Sequence, residues 1–135
     1  MMYLAIDYGE KRIGLAIGTM FPKPFGVLKN EGNAEEISER ISKICIEEKV
    51  EKIILGLPQY DNGEESKVAN QIKSLGRIIE DKTGLDVIFE IENFTSLEAE
   101  RQLKQMGVDF RHDKGKVDEL AATLLLEQYI GHENE

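Results

Sequence analysis

The sequence predicts an α/β domain built on a mixed β-sheet, and three observations carry this prediction. Two short apolar runs, residues 3–7 and 13–17, flank the turn residues Tyr8-Gly9 and indicate a hairpin. The continuously apolar residues 53–55 end at Gly56-Leu57-Pro58, which is typical of a central strand covered on both faces. Elsewhere, apolar residues recur at helical spacing. Strands that can pair antiparallel, followed by strands separated by helices, predict a mixed sheet with helices on its faces.

The remaining elements give the order βββαβαβαα. Val27 and Leu28 indicate a third strand, and residues 85–91 indicate the last. Asn33 precedes the first helix, with Glu36 in its first turn, and a Thr95-x-x-Glu98 capping box opens the third helix. The apolar faces predicted for the first, second and fourth helices are Ile37, Ile41, Ile44 and Cys45; Val68, Ile72, Leu75 and Ile79; and Val117, Leu120, Ala121 and Leu124.

Length and composition favour a single domain over residues 1–135. The chain has no repeat or linker, and a domain of this size buries roughly 68% of the surface of its unfolded chain. Its single cysteine, Cys45, lies in an apolar run and is expected to be a small buried hydrophobe. The prolines Pro22, Pro24 and Pro58 are expected in turns. Without a signal peptide or an apolar run of membrane-spanning length, we expect a cytoplasmic protein that does not contact membranes.

The charge balance restricts how the chain could contact nucleic acid. The net charge is −9, from 26 acidic and 17 basic residues. This argues against a protein that coats nucleic acid through bulk electrostatics. Any contact with phosphate must therefore be local, in a cleft where bound cations or a few clustered Lys and Arg reverse the field.

Three carboxylates are predicted to converge at one edge of the sheet. Asp7 and Glu92 stand at the carboxyl ends of two strands, where open α/β sheets bind ligands. Asp118 heads a helical face on which small residues, Ala121 and Ala122, allow close approach to the sheet. Carboxylates about 4 Å apart repel by roughly 4 kcal/mol at an effective dielectric of 20, so such a cluster needs shared protons or a cation. Oxygen ligands suit a hard divalent ion rather than zinc.

Each of these residues also has a simpler interpretation. Asp7 could be a turn residue, Glu92 a solvated loop acid and Asp118 a first-turn acid that favours the helix dipole. Thr95 could serve only as a helix cap. Composition and spacing do not decide between these roles and metal binding.

Four motifs in order resemble the YqgF family of Holliday-junction-resolvase-like proteins. Residues 5–16, AIDYGEKRIGLA, resemble the opening signature of that family. ILGLP at 54–58 followed by Asp61-Asn62-Gly63 resembles its Gly-Leu-Pro segment. Glu92 with TSLEAE at 95–100, and KVDELAA at 116–122, resemble its last two segments. The resemblance covers nearly the whole chain.

The resemblance implies a ribonuclease-H-like fold, with a mixed five-stranded sheet and helices on both faces. It implies a nuclease that depends on Mg²⁺ or Mn²⁺ and matures the 5′ end of the small-subunit (16S) ribosomal RNA precursor. By position, Asp7, Glu92 and Asp118 would be the catalytic, metal-binding acids. The expected partners are this RNA, branched DNA and ribosomal particles, and the chain would be a monomer or homodimer. The candidate substrate-binding residues are Lys11, Arg12, Asn93, Thr95, Arg111, Lys114 and Lys116, for which solvated surface charge or local structure is the alternative.

The sequence departs from the family pattern at three places. Ile91 and Asn93 stand where the family has Asp and Arg on either side of the Glu, and Gly18-Thr19 replaces Ser-Asp. Losing an acid and a bidentate cation would weaken activity. These departures motivate an alternative, a binding protein of the ribosome or transcription machinery whose chemistry has decayed; resolution of Holliday junctions is another. An actin-like ATPase is rejected because its nucleotide clamp needs two such domains.

Overall fold

The computed structural model of the protein describes residues 1–58, 67–92, 96–108 and 112–133. Its elements follow the predicted order βββαβαβαα and confirm the α/β class. The predicted loop at Asp61-Asn62-Gly63 and the capping residue Thr95 lie outside the described residues. The elements are β1 (Tyr3–Tyr8), β2 (Arg12–Gly18), β3 (Lys23–Lys29), α1 (Ala34–Glu47), β4 (Lys52–Leu57), α2 (Lys67–Thr83), β5 (Asp86–Ile91), α3 (Ser96–Gln105) and α4 (Lys114–Glu133).

The five strands form one mixed sheet in the order β3-β2-β1-β4-β5. The hairpin partners β1 and β2, and then β2 and β3, pair antiparallel. β4 pairs parallel with β1 on one side and with β5 on the other. The carboxyl ends of β1, β4 and β5 therefore meet at the same edge of the sheet, as the sequence predicted.

Helices cover both faces of the sheet. α1 and α2 pack on one face, where Leu4, Ile6, Ile53 and Leu55 point toward them. α4 packs on the other face, against Ala5 and Ile54 among others, and α3 packs on α4. Consecutive residues of β4 are thus buried on opposite faces, which explains the unbroken apolar run of this central strand.

The first helix begins as predicted. The Asn33 side chain accepts a hydrogen bond from the Glu36 backbone N–H at 3.2 Å, which satisfies one of the free donors of the first turn. Cys45 is buried on the inner face of α1, and burial raises the pKa of its thiol to about 11. The expectation of a small buried hydrophobe is confirmed, because a thiol with so high a pKa is a poor nucleophile at neutral pH.

Two predictions about local structure were wrong. Pro24 lies inside β3 and pairs with Ala16, rather than in a turn. β3 is an edge strand, where a residue without an N–H donor is tolerated on the open side. The buried face of α4 also extends further than predicted: Leu126 and Tyr129 are buried in addition to Ala121, Ala122 and Leu125. A helix sandwiched between a sheet and another helix is apolar over most of its circumference.

None of the helices among the described residues is both long enough and apolar enough to cross a membrane.

Candidate active site

Asp7 lies at the carboxyl end of β1 and faces α4. Side chains alternate between the two faces of a strand, so Asp7 shares the face of Ala5, which packs under α4, and Tyr8 shares the face of Ile6. The turn after Asp7 closes tightly, since a Cβ at Gly9 would lie 2.4 Å from the carbonyl oxygen of Arg12. The hairpin therefore places Asp7 at the edge of the sheet, with its carboxyl group facing α4.

Glu92 follows β5 and its carboxylate lies over β4. The Glu92 N–H donates to the Leu57 carbonyl at 2.9 Å, which continues the parallel pairing one residue beyond the strand. A Cβ at Gly56 would lie 2.6 Å from Glu92 Oε1, so the absence of a side chain there makes room for the carboxylate. Gln128 of α4 donates to the Ile91 carbonyl at 2.6 Å and fixes the end of β5 against the helix.

Asp118 is brought to the same edge by an unusually close approach of helix and strand. Gly14 pairs with Asp7 across the β1–β2 ladder. A Cβ at Gly14 would lie 2.0 Å from the carbonyl oxygen of Asp118, so only glycine permits the backbones of β2 and α4 to meet here. Ala121 and Ala122, one turn further along α4, are buried. This confirms the prediction of a helical face made of small residues. α4 begins at Lys114, one turn before Asp118, so the alternative of a first-turn acid is wrong.

The Asp118 carboxylate is held by Arg12. Arg12 Nε lies 2.7 Å from Asp118 Oδ2, and both side chains are partly exposed. Arg12 was predicted to contact phosphate, and in this structure its guanidinium instead neutralises one of the predicted metal ligands. A charge-assisted contact of this length fixes the orientation of the carboxylate.

The Asp7 carboxyl group is hydrogen-bonded to Glu92, and its pKa is raised. Burial, a hydrogen bond with Glu92 and the negative charges of Glu92 and Asp118 together raise the pKa of Asp7 well above 3.8. Burial is the largest of these causes, because it disfavours the charged form, and the neighbouring carboxylates raise the pKa of Asp7 further. The structure therefore joins Asp7 to Glu92 and places Asp118 close enough to act on Asp7 electrostatically.

The donor set of this edge suits a hard divalent cation better than any soft metal. It consists of carboxylate oxygens, and a cation would offset the negative charges of Glu92 and Asp118 that act on Asp7 in addition to its burial. Within the four described ranges, however, no three Asp, Glu, His or Cys side chains converge closely enough to hold an ion as they stand. In this arrangement Asp118 Oδ2 is engaged by Arg12 Nε at 2.7 Å.

The predicted substrate-binding residues are only partly described. Lys11, at the tip of the hairpin, and Lys114 and Lys116, in the first turn of α4, are exposed near the carboxylates' edge. Asn93, Thr95 and Arg111 lie outside the described residues. Contact with substrate stays a prediction for all of these positions.

Sequence reasoning missed four residues that position the site: Gly14, Gly56, Asn30 and Gln128. The two glycines lie inside strands, where glycine often marks a close approach of another backbone. Gln128 lies ten residues after Asp118, on the same side of the helix as Leu125, and could have been found from that spacing. Asn30 donates from Nδ2 to the Gly9 carbonyl at 2.7 Å and so braces the hairpin tip.

Comparison with known proteins gives a consistent family. Residues 1–132 match the RuvX family, described as Holliday junction resolvase. A relative from Lactococcus lactis subsp. cremoris (strain MG1363), named "Putative pre-16S rRNA nuclease", is 33% identical over 131 residues, covering 94% of this chain and 92% of its own. A relative of the same name from Nitrosospira multiformis is 32% identical, with 97% and 88% covered.

Solved structures show the same fold. The Thermus thermophilus RuvC structure has a TM-score of 0.62 at 15% identity, covering 98% of this chain and 97% of its own. The Fowlpox virus resolvase in complex with Holliday junction DNA has a TM-score of 0.64 at 14% identity and full coverage of both chains. These likenesses confirm the ribonuclease-H-like fold, and the sequence matches confirm the predicted family. The chain belongs to the RuvX (YqgF) family and is a nuclease, a hydrolase of phosphodiester bonds.

Proposed function

We propose that this nuclease acts on RNA with the help of Mg²⁺ or Mn²⁺, in 5′-end maturation of the pre-16S ribosomal RNA. The names of the sequence relatives support the substrate. The observation that carries the chemistry is the hydrogen bond between Asp7 and Glu92 beside Asp118; burial and then these two neighbours raise the pKa of Asp7. Carboxylates held this close together at the edge of a sheet are typical of sites built for a cation.

Asp7, Glu92 and Asp118 would hold the divalent ions. When bound, such ions lower the pKa of an attacking water and stabilise the leaving oxygen of the phosphodiester. A bound cation would favour the ionised form of Asp7 and so oppose the effects that raise its pKa. The contact between Arg12 and Asp118 holds the Asp118 carboxylate in a fixed orientation beside the other two acids.

Arg12 is placed for a second role once Asp118 is engaged elsewhere. Its guanidinium lies at the site's edge and is 37% exposed, and a planar fork of donors suits two phosphate oxygens. Lys11, Lys114 and Lys116 flank the same edge. In a chain of net charge −9, these local cations would attract the phosphates of the substrate toward the acids.

Holliday junction DNA is the second candidate substrate. The family description names it, and a structure of the same fold was solved with such DNA. We further propose that residues 1–135 act as one domain in the cytoplasm, as a monomer or homodimer that meets its RNA on ribosomal particles. A decayed, purely binding role is the alternative, motivated by Ile91 and Asn93.

The test is cleavage of end-labelled pre-16S RNA and of a four-way DNA junction by the purified protein. Each substrate is incubated with Mg²⁺, with Mn²⁺ and with chelator. We expect cleavage of the RNA that stops with chelator and falls about a hundredfold or more in Asp7→Asn. Asp86→Asn is the matched control, because Asp86 is exposed at the opposite end of the sheet. Cleavage of the junction but not of the RNA would indicate that the substrate is DNA. No cleavage of either substrate with any metal would favour the binding role.

A further inference from the structure

A cavity of about 370 Å³ lies on the face of β1 opposite to Asp7 and has no role in the site described above. It is formed between β1, the connection from β3 to α1, and the first half of α2. Its polar lining comes from Tyr8, Asn30, Lys67, Asn70, Gln71 and Ser74. Its volume is near the lower end of the roughly 300–1,000 Å³ of small-molecule sites, so it suits one small planar group.

The cavity is one residue away from the catalytic edge. Tyr8 directly follows Asp7, and their Cα atoms are about 3.8 Å apart while their side chains point to opposite faces. Asn30 joins the cavity wall to the hairpin tip: its side chain donates to the Gly9 carbonyl at 2.7 Å, and its backbone N–H donates to the Lys11 carbonyl at 2.9 Å. A nucleic-acid strand that crosses the edge of the sheet at Asp7 can therefore place its next nucleotide at the mouth of this cavity.

The lining offers open hydrogen-bonding groups. Asn70, Gln71 and Ser74 are exposed on α2, and within the described part of the chain their side chains are committed to no hydrogen bond or ion pair. Two amides and a hydroxyl supply both donors and acceptors, which is what the polar edge of a nucleobase requires. Ile37 and Leu75 give the cavity an apolar floor, and the Tyr8 ring gives it an aromatic surface. Aromatic and apolar surfaces of this kind stack with unpaired bases.

We propose that this cavity binds an unpaired nucleobase of the substrate strand, on the nucleotide next to the one that is cleaved. Lys67 at the rim lies where it can meet the phosphate of that nucleotide. A paired base cannot enter, because its hydrogen-bonding edge is already used and its partner strand blocks the mouth. The cavity would thus make the enzyme selective for single-stranded substrate. This inference rests on the proposed action on a nucleic-acid strand and adds to it a specificity site.

The test measures binding of a short single-stranded RNA, in chelator to prevent cleavage, by fluorescence anisotropy. The variants are Gln71→Ala, which removes a hydrogen-bonding group, and Ser74→Phe, which fills the cavity. Gln102→Ala is the matched control, because Gln102 is exposed on α3, away from the cavity. We expect about fivefold weaker binding for Gln71→Ala and about tenfold for Ser74→Phe, with unchanged melting temperatures and no change in the control.

A series of RNAs with a single abasic nucleotide makes the test specific for a base. At one position of the series, loss of the base should weaken binding to the wild type about tenfold and leave binding to Ser74→Phe unchanged. If the variants keep wild-type affinity, or lose the same factor as the wild type at every abasic position, the cavity is not a base site and the proposed nuclease function is untouched. If the wild type binds neither single-stranded RNA nor single-stranded DNA, the proposed substrate and this inference both fail.

Discussion

Replacing Gly14 by Ala should separate α4 from the sheet and displace Asp118. The new Cβ would lie 2.0 Å from the carbonyl oxygen and 2.4 Å from the carbonyl carbon of Asp118. Carbon atoms in contact rest about 3.5–4.0 Å apart, so strand or helix would have to move by roughly 1.5 Å. Overpacking that side chains can relieve costs about 1–3 kcal/mol. Because backbone meets backbone here, we expect Gly14→Ala to lower the free energy of unfolding by about 3 kcal/mol or more, a large part of the roughly 5–15 kcal/mol of a typical domain.

The assay is urea unfolding of wild type, Gly14→Ala and Gly131→Ala at neutral pH without metal. Gly131 is the matched control, since it lies in α4 and a Cβ there meets nothing within 4 Å. Alanine should therefore stabilise the helix at that position by about 0.5–1 kcal/mol. Any Gly14→Ala protein that folds should also lose cleavage. Equal midpoints for Gly14→Ala and wild type would show that the close approach of β2 and α4 does not position Asp118.

The remaining predictions concern the acids and the residues beside them. Millimolar Mn²⁺ should raise the melting temperature of wild type, because an ion that binds only the native state stabilises it; an equal rise in Asp7→Asn would contradict the proposed ligand set. The pKa of Asp7 is raised in the folded protein. Without metal, the contribution of Asp7 to the free energy of unfolding is therefore present at low pH and is lost as the pH rises above 3.8 and through the folded pKa. The slope of the free energy of unfolding against pH should be flatter in Asp7→Asn than in wild type. Gly56→Ala would bring a Cβ to 2.6 Å from Glu92 Oε1, so it should lower cleavage roughly 10- to 100-fold at a stability cost of about 1–3 kcal/mol, and normal kinetics would disprove the role of this space. Asn93→Arg should tighten RNA binding and steepen its salt dependence, and equal affinities at two salt concentrations would mean that residue 93 does not face the substrate.

The fold was predictable because each strand and helix carries its own local pattern. The hairpin around Tyr8-Gly9, the apolar strand at residues 53–55 and the Asn33 cap all depend on neighbours in sequence, and all are present in the structure. The position of Pro24 was not predictable in the same way. Whether a strand lies at the edge of a sheet is decided by the complete strand order, which no local pattern contains.

The candidate site was predictable only at the level of residue type and strand end. Asp7 and Glu92 could be placed together because the carboxyl ends of parallel strands share an edge. The pairing of Arg12 with Asp118 could not be predicted, since it depends on the distance between α4 and β2. Gly14 permits the short distance, and its role is apparent only once the position of α4 is known.

The contact between the hairpin and α4 also affects how the protein folds during its own synthesis. Arg12 and Asp118 are 106 positions apart, and the three acids come from segments at the start, the middle and the end of the described chain. The β1–β2–β3 meander can form early from local contacts, whereas β4, β5 and α4 join it only after long stretches of chain have been synthesised. A nascent chain that lacks α4 has no third carboxylate and no cover for the α4 face of its sheet. Synthesis itself would therefore delay the onset of nuclease activity until the last helix has docked.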